Sequence, residues 1–251
     1  MSHSESNHSG EPKPAADLTL GGLAIVGPDA AGFLQGYLTH DVEASAADSA
    51  QPTALTTLKG RVLANGWALR EQDRVLLVIE AGLVLGVAEF LRKYLAFSKS
   101  TAEPVDDVSA ELGGVELPGP IDPRQPLNPQ LIAARLALVS TATSDEFLPQ
   151  MLGLVDQGAV NFDKGCYLGQ EVVARAQHRG AVKRRLQRIS GTRGAAELAA
   201  GTDVTAGDAR RVGTVIVSQQ QGDKLQGLAV LNVAADAHAT LAAADWALEV
   251  V

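Results

Sequence analysis

Lys164-Gly165-Cys166-Tyr167-Leu168-Gly169-Gln170-Glu171 carries the only cysteine of the chain, and the apolar, helix-prone segment Val172-Val173-Ala174-Arg175-Ala176 follows it. A thiol on a Gly-rich turn ahead of a helix has two reasons to ionise. The helix N-terminus carries partial positive charge, and Lys164 offers a full one. Both favour the thiolate, the nucleophilic and metal-binding form. The alternative is that Cys166 is a small buried hydrophobe, the common fate of a free cysteine. The crowding of Gly, Lys, Gln and Glu around it favours a site.

Downstream of this run the texture is all-β. Short strands are expected near Arg184–Ile189, Gly213–Ser218, Leu225–Leu231 and Trp246–Val250, separated by Gly and Asp turns, which makes a small barrel. Upstream, Leu18 to Val26 reads as a strand entering Gly27-Pro28. Asp29 then caps a helix with Phe33, Leu34, Tyr37 and Leu38 on one face, ending at Thr39 to Asp41. Thr53–Leu58, the turn Lys59-Gly60 and Arg61–Leu69 form a hairpin. Val75–Ile79 is a buried strand, and Ala81–Phe97 has Val84, Val87, Leu91 and Leu95 at helical spacing. The sum is an α+β sheet with helices on one face. From Ala102 to Pro129 prolines recur and the helical pattern stops, which reads as a linker or irregular loop. Three parts follow: a disordered leader over 1–16, an α+β domain over 17–180 and a β-barrel over 181–251.

The 251 residues, 46% hydrophobic and 20% charged, are those of a soluble globular protein with a proper core. A net charge of −8 argues against general binding to nucleic acid or anionic membrane. One cysteine excludes an internal disulfide and a four-cysteine zinc or iron–sulfur site, and fits a reducing, cytoplasmic setting. Val75 to Leu95 is interrupted by Glu80, Glu89, Arg92 and Lys93, so it is no membrane span. Met1 to Ala16 lacks the apolar block of a signal peptide, and its His3 and His8 read as solvated.

Other chemistry is sparse. No Ser-His-Asp arrangement, Walker A pattern or Gly-x-Gly-x-x-Gly stands out, and His178 is the only histidine near the cysteine in sequence. Lys59-Gly60-Arg61 at a hairpin tip is either an ordinary solvated turn or a grip for a carboxylated or phosphorylated ligand. Arg175, Arg179, Lys183, Arg184, Arg185 and Arg188 form a basic stretch in an acidic chain. It is either a solvated helix-to-strand junction or a patch for RNA, an acidic protein or a polyglutamylated cofactor tail.

The cysteine run, continued through Val173-Ala174-Arg175-Ala176 to Arg179-Gly180-Ala181 and Lys183-Arg184, resembles the signature of the YgfZ family. Gly27-x-Asp29, Phe33-Leu34-Gln35-Gly36, Thr39-x-Asp41-Val42, Lys59-Gly60-Arg61, Lys93-Tyr94 with Phe97-Ser98-Lys99, Gly213-Thr214-Val215 and Val230-Leu231-Asn232 agree in the expected order. The resemblance implies an aminomethyltransferase-like fold, α+β subdomains with a C-terminal β-barrel around a central hole, and tetrahydrofolate or a derivative as cofactor. It implies a factor that supports assembly or repair of iron–sulfur clusters in client proteins, including enzymes that thiolate tRNA. Cys166 and Lys164 would be the reactive pair, and Asp41, Lys59, Arg61, Tyr167, Gln170, Glu171 and Arg175 the folate contacts. The competing readings are a tetrahydrofolate-dependent aminomethyl transferase, with its carboxylate drawn from Asp41, Asp163 or Glu171, and a tRNA-binding accessory protein. Three departures bear on folate. The segment between Lys99 and Arg135 is short, Ala133-Ala134-Arg135 stands where relatives carry Glu-Ala-Gly, and Leu20 stands in the neighbourhood of an aromatic.

Overall fold

The structure is a computed structural model and describes residues 17–251, apart from 48, 120, 181, 193, 195, 196, 208 and 233–240. The leader Met1 to Ala16, with His3 and His8, and Ala181 of the signature lie outside the described residues.

Strands β1 (Leu20–Val26), β2 (Ala50–Thr56), β3 (Val62–Arg70), β4 (Arg74–Glu80) and β5 (Thr101–Val105) form an antiparallel sheet in the order β2-β3-β4-β1-β5. The hairpin forms where the alternation placed it. Helix α1 (Ala30–Gln35) packs on β4, and α2 (Val84–Leu95) packs on β1 and β5 with Val84, Val87, Leu91 and Leu95 buried.

Three expectations change. Helix α1 ends at Gln35, so Tyr37 and Leu38 lie past it, and Leu38 bridges to Leu55 instead. Asp29 sits at the N-cap of α1, but its side chain does not cap the helix; its Oδ2 accepts from the Lys99 backbone N–H at 3.3 Å instead. The stretch from Ala102 to Pro129 is not simply a linker. Its first residues belong to β5, with Pro104 opposite Leu23, and further on lie α3 (Val108–Glu111) and the start of α4 (Leu127–Ala134). A proline lacks the N–H for a ladder bond on its outer side, and β5 is an edge strand where none is needed.

Helix α5 (Gln170–Arg179) leads toward a closed barrel, β10-β11-β6-β9-β8-β7, built from β6 (Arg184–Thr192), β7 (Asp203–Ala206), β8 (Arg211–Gln221), β9 (Lys224–Asn232), β10 (Leu241–Ala243) and β11 (Trp246–Val250). β6, β8, β9 and β11 lie where short strands between Gly and Asp turns are expected. β7 and β10 are three or four residues long and rich in Ala, Asp and Thr, too short for a period-2 pattern to register. The barrel has its own core around Ile189, Val215, Leu231 and Trp246. Ile216, Val217, Leu228 and Val230 join the larger core instead, beneath the sheet helices and α4. Asn128 stitches this junction: its Nδ2 donates to Ser218 O (3.0 Å) and its Oδ1 accepts from Leu18 N (3.0 Å).

Candidate functional site

The cysteine loop hangs between α1 and the β2–β3 hairpin, and each anchor is a specific bond. Asn161 N donates to Thr39 O and Leu168 N to Gly36 O, both at 2.9 Å. Thr39 Oγ1 donates to Ala159 O (2.5 Å), and Thr56 Oγ1 donates to Leu168 O (2.5 Å). Gly169 is in the left-handed region (φ +85°), which a glycine enters without steric penalty. A Cβ there would lie 2.3 Å from Thr57 O and 3.1 Å from Gly60 Cα, so the Lys59-Gly60 turn and the start of α5 press together backbone to backbone. Gly165 differs: it shows no left-handed φ, and nothing lies within 4 Å of a Cβ built on it.

Within this frame Cys166 is exposed. It is not a buried hydrophobe. Neither source of charge expected for the thiol stands at it. Helix α5 starts at Gln170, four positions on. Lys164 is only 8% exposed, and its Nζ donates to Gln35 O (2.9 Å), Leu38 O (2.7 Å) and His40 O (2.8 Å). The three N–H of an ammonium meet three carbonyls at the end of α1, where helical carbonyls lack partners of their own. Burial pushes Lys164 down to about 8, and the charges of Asp41 and Glu43 act in the opposite direction. The expected reactive partner of Cys166 is thus engaged as the clamp of the loop.

Tyr167 turns inward beneath that ammonium, 5.5 Å from ring centroid to Nζ, and is 6% exposed. Burial pushes its phenol up to about 12, and the hydroxyl has no hydrogen-bond partner. Asp41 Oδ1 accepts from Ala44 N (3.1 Å) and Gln35 Nε2 (2.9 Å); the Ala44 N–H is the main reason its carboxyl lies below the usual range. His40, beside it, is held below its ordinary value chiefly by burial.

The remaining residues of the expected ligand set scatter. Lys59 is exposed at its turn, without a side-chain partner among the described residues. Arg61 points the other way and donates to Glu146 O at 2.7 Å. Glu171 and Arg175 pair with each other along the solvated side of α5, an ordinary i,i+4 helix pair. Gln170 is half-buried at the first turn of α5. Cys166, Lys164, Tyr167 and Asp41 therefore gather at the end of α1, while Lys59, Arg61, Glu171 and Arg175 do not converge on one ligand.

An apolar concavity lies elsewhere. A cavity of about 210 Å³ opens between β3 and the segment after α4, lined by Asn65, Trp67, Leu131, Leu136, Leu138 and Gln157 among others. Its buried polar groups are bonded: Asn65 Nδ2 donates to Ala137 O (2.7 Å), Asn65 Oδ1 accepts from Val139 N (2.9 Å), and Trp67 Nε1 donates to Pro118 O (3.2 Å), while the half-buried Gln157 holds only a 3.4 Å bond from Nε2 to Arg135 O. None of the nine residues expected from the sequence lines it. Its walls come from separate stretches of chain, and its one signal in the sequence was an asparagine inside the apolar strand Val62–Arg70. No cluster of three or more His, Cys, Asp or Glu suited to a metal occurs among the described residues, and no described helix is long and apolar enough to cross a membrane.

No protein-family model matches the chain. The tRNA-modifying protein YgfZ of Edwardsiella ictaluri is 28% identical over 264 residues, covering 80% of this chain and 78% of that one. YgfZ of Pectobacterium carotovorum is 29% identical over 268 residues, 83% of this chain and 80% of the relative. A shorter match, to YgfZ of Klebsiella pneumoniae, reaches 44% over 94 residues, 37% of this chain and 29% of that one. Among solved structures, the glycine cleavage system aminomethyltransferase T of Bartonella henselae superposes with a TM-score of 0.65 at 17% identity, over 93% of this chain and 83% of that one. At that identity the likeness carries the fold alone. By sequence the chain is similar to the YgfZ proteins, and by architecture it has the α+β and barrel fold of the aminomethyltransferases.

Proposed function

We propose that this chain is a YgfZ-type accessory factor. It supports iron–sulfur client enzymes, among them enzymes that thiolate tRNA, through the thiol of Cys166, and it takes the ring of a tetrahydrofolate in the cavity beside Trp67. The observation that carries the reading is the display of Cys166. Its thiol is exposed on a loop bonded to the chain at Asn161, Lys164 and Leu168, which suits contact with a partner protein.

The cavity was weighed against the cofactor on its own lining. It is mostly apolar, with an indole on one wall for the face of the pterin and the half-buried Gln157 amide for its polar edge. At about 210 Å³ it lies below the roughly 300 Å³ at which pockets for drug-sized ligands begin, so the ring enters and the tail stays outside. Trp67 and Leu138 would hold the ring by contact, and tetrahydrofolate, when bound, would supply one-carbon chemistry. No Asp, Glu, His, Lys or Tyr lines the cavity. An aminomethyl transferase needs a positioned acid or base at the reacting amine. That lack favours a factor over a transferase.

Calorimetric titration with tetrahydrofolate tests the cofactor half. One saturable site is expected, weakened at least tenfold in Trp67→Ala, with no turnover of an aminomethyl donor. Absence of binding would remove folate from the account, and turnover would move the chain to the transferases.

A further inference from the structure

Five arginines elsewhere on the chain are matched by carboxylates: Arg74 by Glu71 and Glu111, Arg92 by Glu89, Arg124 by Asp122, Arg175 by Glu171, and Arg211 by Glu146 and Asp203. The stretch from the end of α5 into β6 breaks that habit. Arg179, Lys183, Arg184, Arg185 and Arg188 make no ion pair and no side-chain hydrogen bond with any described residue. The first four are exposed and Arg188 is half-buried. No acidic residue occurs in the sequence between Glu171 and Glu197, although the chain carries 29 Asp and Glu in all. Solubility does not call for this, since the net charge is already −8.

Beside the strip runs a groove of about 480 Å³, between the turn at Pro149–Leu152, α5 and β6. Gln150, Gln177 and Gln187 line it, with Arg185 at its wall and the exposed Asp156 at its margin, a carboxylate that turns phosphates away from that end. Gln150 is the telling residue. Its Nε2 donates to Val173 O at 2.8 Å, which fixes the amide, while its Oε1 is buried and receives no hydrogen bond. A buried acceptor without a donor is costly unless a ligand brings one. The ligand is therefore anionic along the strip and carries a hydrogen-bond donor at the groove.

We propose that the strip and groove bind the sugar–phosphate backbone of a folded RNA. Phosphates meet the guanidinium groups, which match their oxygens two at a time. A ribose 2′-hydroxyl supplies the donor that Gln150 Oε1 lacks once that side chain turns its shielded oxygen into the groove, and DNA does not have that group. No aromatic side chain lines the groove. Bases therefore find no stacking platform, and the surface reads backbone rather than sequence. The same lack of an aromatic anchor disfavours an acidic protein as the occupant. The proposal is independent of Cys166 and of the Trp67 cavity.

The test is a binding titration of the full chain with a labelled RNA hairpin, the DNA hairpin of the same sequence, and polyglutamate as competitor, at several salt concentrations. The expected result is a slope of log K against log salt of roughly 2 to 4, since each neutralised duplex phosphate contributes about 0.9. RNA should bind at least fivefold tighter than DNA. Arg184→Glu with Arg185→Glu should weaken RNA binding at least tenfold with an unchanged melting temperature, both side chains being exposed. Arg179→Gln with Lys183→Gln should lower the slope by about 1 to 2. Gln150→Leu should narrow the gap between RNA and DNA while leaving the slope in place. No RNA binding at about 50 mM salt, or binding indifferent to both double variants, overturns the proposal. So does equal affinity for DNA. Polyglutamate displacing RNA at equal charge assigns the strip to an acidic protein instead.

Discussion

Lys164→Met is expected to cost about 3 kcal/mol of stability. Methionine keeps the length and apolar stem of the side chain and removes the ammonium. Three carbonyls, that of Leu38 buried and those of Gln35 and His40 part-buried, then lose their donor. Each unpaired buried polar group costs roughly 1–3 kcal/mol, and the removed desolvation of the ammonium offsets part of the sum. For a chain of this size the midpoint of thermal unfolding should fall by about 6–12 °C. Lys164→Arg should not restore it, because a planar guanidinium does not converge on three carbonyls as a tetrahedral ammonium does. A loss below about 1 kcal/mol would show that the clamp is incidental.

Gly169→Ala and Gly165→Ala form a matched pair with opposite outcomes. At Gly169 the new Cβ meets Thr57 O at 2.3 Å on a backbone with φ +85°. The left-handed conformation alone costs roughly 1–2 kcal/mol for a residue with a Cβ, and the clash is with backbone that does not rotate away. The hairpin tip and the start of α5 must separate, so about 3 kcal/mol or more should be lost, as thermal or urea unfolding would measure. At Gly165 the same substitution meets open space and should change stability by less than about 0.5 kcal/mol. Equal effects at the two positions would contradict the packing described for the loop.

Much of the fold was legible because its patterns are local. The apolar runs Arg61–Leu69 and Leu225–Leu231 between Gly and Asp turns, and the helical spacing of Val84, Val87, Leu91 and Leu95, point to β3, β9 and α2 from local sequence alone. β5 was hidden by Pro104, whose presence excludes an interior strand but not an edge one. The site divides in the same way. The exposure of Cys166 was foreshadowed by the polar residues and glycines crowded around it. The destination of Lys164 was not, because its acceptors lie more than 120 residues earlier in the chain and only the folded loop brings them together. Two positive features expected to act on one thiol were read from sequence proximity, and proximity along a turn says little about where a side chain points. The cavity was missed for a related reason. Trp67, Leu131 and Leu138 each look like ordinary core, and only their arrangement leaves a space.

The central claim is that Cys166 carries the function, and its most direct test is a measurement of thiolated nucleosides in tRNA. The host would be a bacterium lacking its own YgfZ protein, supplied with either the wild-type chain or Cys166→Ala at matched protein levels. Cys166 is exposed and its removal leaves the loop anchors intact, so the variant should fold and accumulate normally. The account predicts that the wild-type chain raises tRNA thiolation and that Cys166→Ala leaves it at the level of the empty host. Equal restoration by the two chains would contradict it.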